Sequence, residues 1–170
     1  GDAGFIVDHA QVNGFILTNR LLKAGQPVFW QKAEVQSGGR TLAPGALWIP
    51  ATDTSRALVE RAAAELGLNA EAVSRAPGGQ SIALKPVRIG LVDRYGGSMS
   101  AGWTRWLLEQ FEFPFEVVYP QRLDAGDLKT DFDVLVFAPG LLPADFPNGD
   151  GRRQPAPGTI PEAFRPWLGD

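Results

Sequence analysis

The chain has 170 residues, of which 44% are hydrophobic and 21% are charged, with no Cys, one His and a formal net charge of −3. This composition is typical of a globular protein with one domain or two small ones. Without Cys the chain has no disulfide, thiolate nucleophile, Cys-ligated zinc or iron–sulfur cluster, and one His cannot form a two-His metal site. The negative charge gives no general attraction to nucleic acid.

Membrane and targeting signals are also missing from the sequence pattern. No apolar run approaches the roughly 20 residues that a membrane-spanning helix needs, and residues 1–4 lack the basic and apolar regions of a signal peptide. We therefore expect no membrane span. Because the only Met is Met99, we interpret the chain as an excerpt of a longer protein.

Strands and helices alternate in the first half of the chain. Gly25 and Gly67 stand where left-handed helix C-caps are expected, and Thr52 or Asp53 can cap the second helix. Apolar periodicity predicts strands at 5–8, 27–30, 41–50 and 72–75, and helices at 13–24 and 55–66.

A turn-rich run at residues 76–81 predicts a boundary between two α/β units, at 1–80 and 86–170. Beyond that boundary the pattern predicts strands at 87–92, 115–119 and 133–138, a helix at 100–111, and a helix or turn at 123–128.

The expected fold class is α/β, with a mainly parallel, flavodoxin-like sheet flanked by helices. Strands that are apolar throughout and alternate with helices are typical of parallel sheets covered on both faces. From Pro139 onward, 32 residues hold 7 of the 14 Pro, which predicts a Pro/Gly-rich C-terminal segment outside the core.

The predicted helix at 100–111 has two distinct sides. Trp103, Trp106 and Leu107 share one side, and we expect them to pack in the core or between domains. Arg105 and Glu109 are spaced to form an ion pair on the other side.

Polar residues that follow predicted strands are the candidate ligand-binding residues, because open α/β sheets bind ligands beyond the carboxyl ends of their strands. Asp8 and His9 are adjacent, and adjacent strand residues point to opposite faces, which disfavours cooperation between these two side chains. For His9 a loop or capping role is favoured over catalysis, and for Ser98 helix capping is favoured over anion binding. The candidates are Asp8, His9, Asn13, Asp93, Arg94, Tyr95 and Ser98, with Pro139 and Gly140 after the last strand.

A phosphate-binding loop and a glycosidase site are the two enzymatic interpretations of these residues. The run from Gly90 to Ser98 lacks the Gly-Lys-Ser/Thr ending of a P-loop and the Gly spacing of a dinucleotide fold. A glycosidase would need two carboxylates across a cleft, for which Asp8 and Asp93 are the available pair. The adjacent Arg152 and Arg153 are interpreted as part of a solvated turn.

Three stretches carry the most distinctive residue pattern. They are VDHAQVNGFILTNRLLKAGQPVFW at 7–30, SMSAGWTRWLLEQFEFPFEVVY at 98–119, and DAGDLKTDFDVLVFAPG at 124–140 with GTIPEAF further on. Together they resemble the region downstream of the peptidase domain in large bacterial zinc carboxypeptidase-like proteins. The resemblance covers most of residues 5–165, and WTRWLLEQFEFP is its most specific part. It implies a domain with the class I glutamine amidotransferase fold.

The resemblance also implies which chemistry lies outside this chain. The family's peptidase holds zinc with two His and a Glu and uses a second Glu as general base, whereas this chain has one His with no H-x-x-E after it. A working amidotransferase needs a Cys nucleophile, which is absent. No catalytic or metal-ligating residue is therefore assigned, and zinc is expected in the peptidase domain.

The predicted function is a noncatalytic accessory domain of a zinc carboxypeptidase-like protein, acting in domain packing, assembly or substrate presentation. The alternative is a module that binds a small ligand, either a sugar, a peptide or an anion, at the carboxyl ends of its strands. The implied partners are the parent's peptidase domain and a second copy of the chain, with no nucleic acid. The family resemblance implies an exported or periplasmic bacterial protein.

Overall fold

The computed structural model describes residues 1–139, 141 and 157–167. Most of the predicted Pro/Gly-rich segment, including Gly140 and the Arg152–Arg153 pair, lies outside these residues. The chain divides into two units, Gly1–Pro86 and Val87–Asp170. Each unit has a sheet of its own and is described by itself.

The first unit contains two helices and seven short strands. They are β1 (Gly4–Val7), α1 (Gly14–Lys23), β2 (Phe29–Gln31), β3 (Val35–Ser37), β4 (Arg40–Leu42), β5 (Leu47–Pro50), α2 (Asp53–Leu66), β6 (Ala70–Val73) and β7 (Ser81–Ala83). The predicted strand at 41–50 is therefore wrong, since a turn containing Gly45, with a φ of +106°, separates β4 from β5.

Five of these strands form an antiparallel sheet in the order β6-β1-β5-β2-β7. Helix α1 connects β1 to β2, which run in the same direction with β5 between them. Helix α2 connects β5 to β6 in the same way, with β1 between them. Each of these two connections therefore joins parallel strands that are not neighbours, and one strand of the other connection lies between them. This is the split β-α-β connection of ferredoxin-like topologies.

The expectation of a mainly parallel, flavodoxin-like sheet is wrong. Both faces of the five-stranded sheet are covered, but by different elements. Leu17 and Leu21 of α1 and Val59 of α2 pack on one face, in a cluster with Val7 and Ile49. The β3–β4 hairpin covers the other face, and its side chains join those of β1 and β5 in a second cluster, which contains Ile6, Val35, Leu42, Ala46 and Trp48. The central strands are apolar throughout for this reason, although they pair antiparallel.

Helix α2 has a hydrogen-bonded cap at its start and a glycine at its end, and the residues for both are present in the sequence. The Thr52 hydroxyl accepts the Ser55 backbone N–H at 2.9 Å, and the Ser55 hydroxyl accepts the Thr52 N–H at 2.8 Å. Such a reciprocal capping box satisfies two backbone donors that have no partner within the helix. Gly67 ends α2 in the left-handed conformation, with a φ of +66°, as predicted.

The second unit contains a smaller, parallel sheet in the order β10-β8-β9. Its elements are β8 (Ile89–Val92), α3 (Met99–Gln110), β9 (Phe115–Val118), α4 (Pro120–Asp124) and β10 (Val134–Phe137), with short 3-10 helices at Leu128–Thr130, Pro157–Thr159 and Glu162–Trp167. A five-stranded antiparallel sheet and an antiparallel hairpin in the first unit stand against three parallel strands in the second, so the described chain is a mixed α/β protein. The implied amidotransferase-like fold is therefore wrong, as is the flavodoxin-like one.

Strand β8 lies at the centre of the parallel sheet and is closely packed. Val92 of β8 and Val118 of β9 form a buried cluster with Phe132. A Cβ on Gly90 would lie 2.7 Å from Leu135 Cδ2 and 2.9 Å from Val118 Cγ2, so a larger residue there would displace side chains of both neighbouring strands.

Burial in the second unit differs from expectation at two places. The apolar pattern of the strand at 133–138 is that of a strand buried on both faces, yet Val134 and Phe137 are 46% and 44% exposed. In α3 the buried residue is Ala101, and the tryptophans that were expected to pack lie on the exposed side.

Candidate functional site

The predicted site residues fall into both units. Asp8, His9 and Asn13 lie in the first unit, whereas Asp93, Arg94, Tyr95 and Ser98 lie in the second. The structure therefore presents two separate groups of candidates, and the Asp8–Asp93 pair considered for a glycosidase is divided between the units.

Asp8 and His9 belong to a turn that follows β1. The Asp8 carboxylate accepts the Ala10 backbone N–H at 3.0 Å, and the backbone carbonyl of Asp8 accepts that of Gln11 at 3.1 Å. Because the strand ends at Val7, the two side chains are not held on opposite faces, and His9 Nδ1 lies 3.6 Å from Asp8 Oδ1. Asp8 thus stabilises the turn that positions the His9 ring.

Asn13 and Gln11 fasten the start of α1 to the end of α2. Asn13 Nδ2 donates to the Leu66 carbonyl at 2.9 Å. The Gln11 side-chain amide donates to the Asn69 carbonyl at 2.9 Å and accepts the Asn69 N–H at 2.7 Å. These bonds occupy both amides with backbone groups, so Asn13 acts here as a structural residue.

The His9 ring forms part of the wall of an open pocket of about 270 Å³ in the first unit. Phe15 and Thr18 reach it from the first turns of α1, and Trp30 reaches it from the end of β2. The pocket is lined by His9, Gln11, Gly14, Phe15, Thr18, Trp30, Gly45 and Leu47. It thus lies where β1 and β2 end and β5 begins.

Gly45 brings the two sides of this pocket together. Its N–H donates to the Gln31 carbonyl at 2.7 Å, which holds it beside the end of β2. A Cβ built on Gly45 would lie 3.3 Å from His9 Cγ. A larger residue would therefore displace the His9 ring, in addition to straining the backbone.

The second group of candidates lies in the loop between β8 and α3. Asp93 Oδ1 accepts the Arg94 backbone N–H at 2.9 Å, and the Arg94 carbonyl accepts the Gly97 N–H at 2.8 Å. Ser98 is the N-cap of α3, since its hydroxyl accepts the Ala101 N–H at 3.0 Å. The hydrogen bonds of Asp93 and Ser98 thus shape the loop and start the helix.

Tyr95 packs against an aromatic side chain from the end of the described chain. The rings of Tyr95 and Phe164 are 5.9 Å apart at an angle of 40°. Arg165 Nε donates to the Ile160 carbonyl at 3.1 Å, which ties the 3-10 helix to the turn before it. Tyr95 therefore contributes to packing within the second unit.

The outward side of α3 carries an exposed apolar stripe. Trp103, Trp106 and Leu107 are 64%, 51% and 50% exposed, and Met99 at the start of the helix is 81% exposed. The two indole rings are 5.8 Å apart and nearly perpendicular, at 86°. We call these four residues the α3 apolar face.

Other features of the described residues bear on the class of function. No group of three His, Asp or Glu side chains in this part of the chain is arranged to hold a metal ion. None of the helices that the structure describes is long and apolar enough to cross a membrane. A wider cleft of about 810 Å³ lies between the β3 strand and residues 72–78, away from the predicted site residues.

Sequence reasoning identified His9 but missed Phe15, Trp30 and Gly45. An aromatic residue in the first turn of a helix and another at the end of a strand are visible as single positions. These side chains come together because β2 and β5 are neighbours in the sheet. The parallel sheet expected from the sequence did not predict that pairing. No signal in the sequence alone would have joined these residues into one pocket.

No protein-family model matches the chain, and neither a curated protein nor a solved structure is detectably similar to it. The resemblance to the region downstream of a zinc carboxypeptidase domain therefore remains a prediction from the residue pattern.

Proposed function

We propose that the chain is a noncatalytic accessory module that packs against another protein domain through the α3 apolar face. The observation that carries this proposal is the exposure of two tryptophans and a leucine at helical spacing on one side of α3. Single exposed apolar residues are ordinary on protein surfaces. A contiguous aromatic cluster is typical of an interaction surface instead.

The composition of the α3 apolar face favours a protein partner. Tryptophan is enriched among the residues that contribute most to protein–protein binding, and it acts best when a partner excludes water from it. The Arg105–Glu109 ion pair, with a distance of 2.9 Å, lies on the same helix and is also exposed. The spacing places this pair on the other side of α3 from the tryptophans, so it serves as a control for the apolar face.

The residue pattern supplies a candidate partner, the zinc carboxypeptidase domain of the same polypeptide. The chain's own residues do not fit a carboxypeptidase zinc site, because that site needs two His and this chain has one. In the proposed arrangement the partner domain holds the metal and performs the hydrolysis, and this chain supplies a packing surface.

The test combines a double substitution with a matched control on the same helix. Trp103→Ser with Trp106→Ser removes the aromatic part of the face, and Arg105→Ala with Glu109→Ala removes the exposed ion pair. Each protein is mixed with the zinc carboxypeptidase domain encoded in the same reading frame, and binding is measured by sedimentation velocity. We expect the double tryptophan variant to bind at least roughly 100-fold more weakly, and the control to bind within about fivefold of the parent.

Three results would contradict the proposal. The reading frame could encode no domain with an H-x-x-E zinc motif, or the tryptophan variant could bind as well as the parent. The chain could instead self-associate through the same face, seen as a concentration-dependent mass that the tryptophan substitutions abolish, which would assign the face to a second copy. Circular dichroism spectra of both variants would establish that helix content is retained.

A further inference from the structure

The pocket beside His9 supports a second role that does not depend on the α3 apolar face. Its wall brings together three ring systems, those of His9, Phe15 and Trp30, and Leu47 also lines it. Phe15 and Trp30 are 45% and 40% exposed, although both lie beside a well-packed core. Large aromatic side chains that remain half exposed around a concave site are typical of ligand pockets.

Most polar side chains of this pocket already have partners within the protein. The Thr18 hydroxyl donates to the Gly14 carbonyl at 2.8 Å, and both ends of the Gln11 amide bond to Asn69. The imidazole of His9 is different, because its side chain is 46% exposed and lies 3.6 Å from the Asp8 carboxylate, which is beyond hydrogen-bond distance. His9 can therefore offer a ligand one polar contact in an otherwise apolar pocket.

From this geometry we propose that the pocket binds a small neutral ligand through an aromatic ring. Its volume of about 270 Å³ exceeds the roughly 150 Å³ of a protein cavity that accommodates benzene. It lies just below the range of about 300 to 1,000 Å³ for drug-sized ligands. A group of one or two fused rings fits that size, and it can stack on or meet the edges of the Phe15 and Trp30 rings.

The same residues disfavour two of the ligand classes named from the sequence, anions and sugars. None of the residues described as lining the pocket is Lys, Arg, Asp or Glu, so the wall offers no permanent charge to an anion. A sugar carries several hydroxyl groups that need partners once they leave water, and the Gln11 and Thr18 side chains are already bonded. A neutral aromatic ring needs few polar partners and buries apolar surface, which this pocket supplies.

Nuclear magnetic resonance with indole as the probe tests the proposal on the intact chain. The five Trp give separate indole N–H signals, and the signal lost in Trp30→Phe identifies Trp30. We expect indole to shift the Trp30 signal and the backbone amides of Phe15 and Gly45, with saturation. Glucose and acetate at the same concentrations should leave these signals unchanged.

Substitutions then connect the signal to the pocket. Phe15→Ala and Trp30→Ala should each weaken indole binding by roughly tenfold. Trp103→Ala, which removes an equally large exposed ring from the second unit, should leave the affinity within about twofold. Dispersed amide spectra establish that each variant is folded, and the titration of the parent protein decides the question if one of them is not.

Several outcomes would overturn the proposal. The absence of a saturable shift with indole is one such outcome. Shifts of the Trp103 and Trp106 signals as large as that of Trp30 would show general adsorption to exposed rings. Unchanged affinity in both pocket variants would exclude this site. Equal shifts with glucose would assign the pocket to carbohydrate instead of a neutral aromatic ring.

Discussion

Arg88 and Asp133 connect the starts of two neighbouring strands, β8 and β10, through several hydrogen bonds. Arg88 Nη2 donates to Asp133 Oδ1 at 2.8 Å and Arg88 Nε to Oδ2 at 3.2 Å, and the Arg88 backbone N–H also donates to Oδ2, at 2.9 Å. The side-chain hydrogen bonds of Arg88, followed by its backbone N–H, lower the pKa of Asp133 from 3.8 to about 2. Because both side chains are about half exposed, water and salt screen the pair.

This pKa predicts how the pair responds to acid. A carboxyl group whose pKa is lowered by folding stabilises the folded state above its unfolded pKa, here 3.8, and that contribution is lost as the pH falls towards 2. We expect the Asp133 carboxyl carbon to titrate with a midpoint near 2 by nuclear magnetic resonance. In Arg88→Gln the midpoint should move up towards 3.8. An unchanged midpoint in that variant would show that Arg88 does not cause the shift.

The polar residues singled out from the sequence show how far single positions can be interpreted. Asp8, Asn13, Asp93 and Ser98 do follow strands or begin helices, as predicted. The structure uses all four for hydrogen bonds to nearby or adjoining backbone groups. Short polar side chains at the ends of elements regularly make such bonds. Their position was therefore predictable, whereas the aromatic pocket beside them was not.

At the scale of elements, the long periodic segments were predicted best. Both helices of the first unit and α3 of the second begin and end within two residues of the predicted bounds. Their apolar spacing and end residues are local signals. Strands β3 and β7 were missed, and β4 was joined to β5 in one predicted strand, because β3, β4 and β7 are three residues long and contain polar side chains. Strands that short are determined by the neighbours with which they pair.

The capping box of α2 allows a quantitative test at this scale. Thr52→Ala removes the hydroxyl that accepts the Ser55 N–H, and it also breaks the 2.6 Å hydrogen bond from the Thr52 hydroxyl to the Gln26 side chain. We expect it to lower the free energy of unfolding by about 1 kcal/mol, measured by urea denaturation. Thr54→Ala, at an exposed position in the first turn of the same helix, is the matched control and should change it by less than about 0.5 kcal/mol. Equal effects of the two substitutions would contradict a capping role for Thr52.

At the scale of the whole molecule, the expected topology failed for a physical reason. An apolar strand shows that both faces of a sheet are covered, but it does not show what covers them. Helices on both faces imply parallel pairing, whereas in the first unit two helices cover one face and the β3–β4 hairpin covers the other. Each helix also connects strands that are not neighbours. The order of elements along the chain is compatible with either arrangement.

The strand pairing makes the first unit a candidate for independent folding. Every strand of the five-stranded sheet finds its partners within residues 1–86, and so do both strands of the hairpin. The two apolar clusters that cover the sheet also lie in this range. Strand β7 belongs to this unit as well, since Trp30 pairs with Ile82 and Phe29 with Ala83, although it lies beyond the boundary at residue 80 predicted from the sequence.

We therefore expect a fragment of residues 1–86 to fold alone, with amide resonances that superimpose on those of the same residues in the full chain except near its end. A fragment of residues 1–80 is the matched control. It lacks β7, so the outer edge of β2 loses its partner, and an unpaired edge strand is both less stable and prone to association. The shorter fragment should unfold at a lower urea concentration and show line broadening at Phe29 and Trp30. A poorly dispersed spectrum of the longer fragment would contradict independent folding, and equal stability of the two fragments would show that β7 contributes little to the sheet.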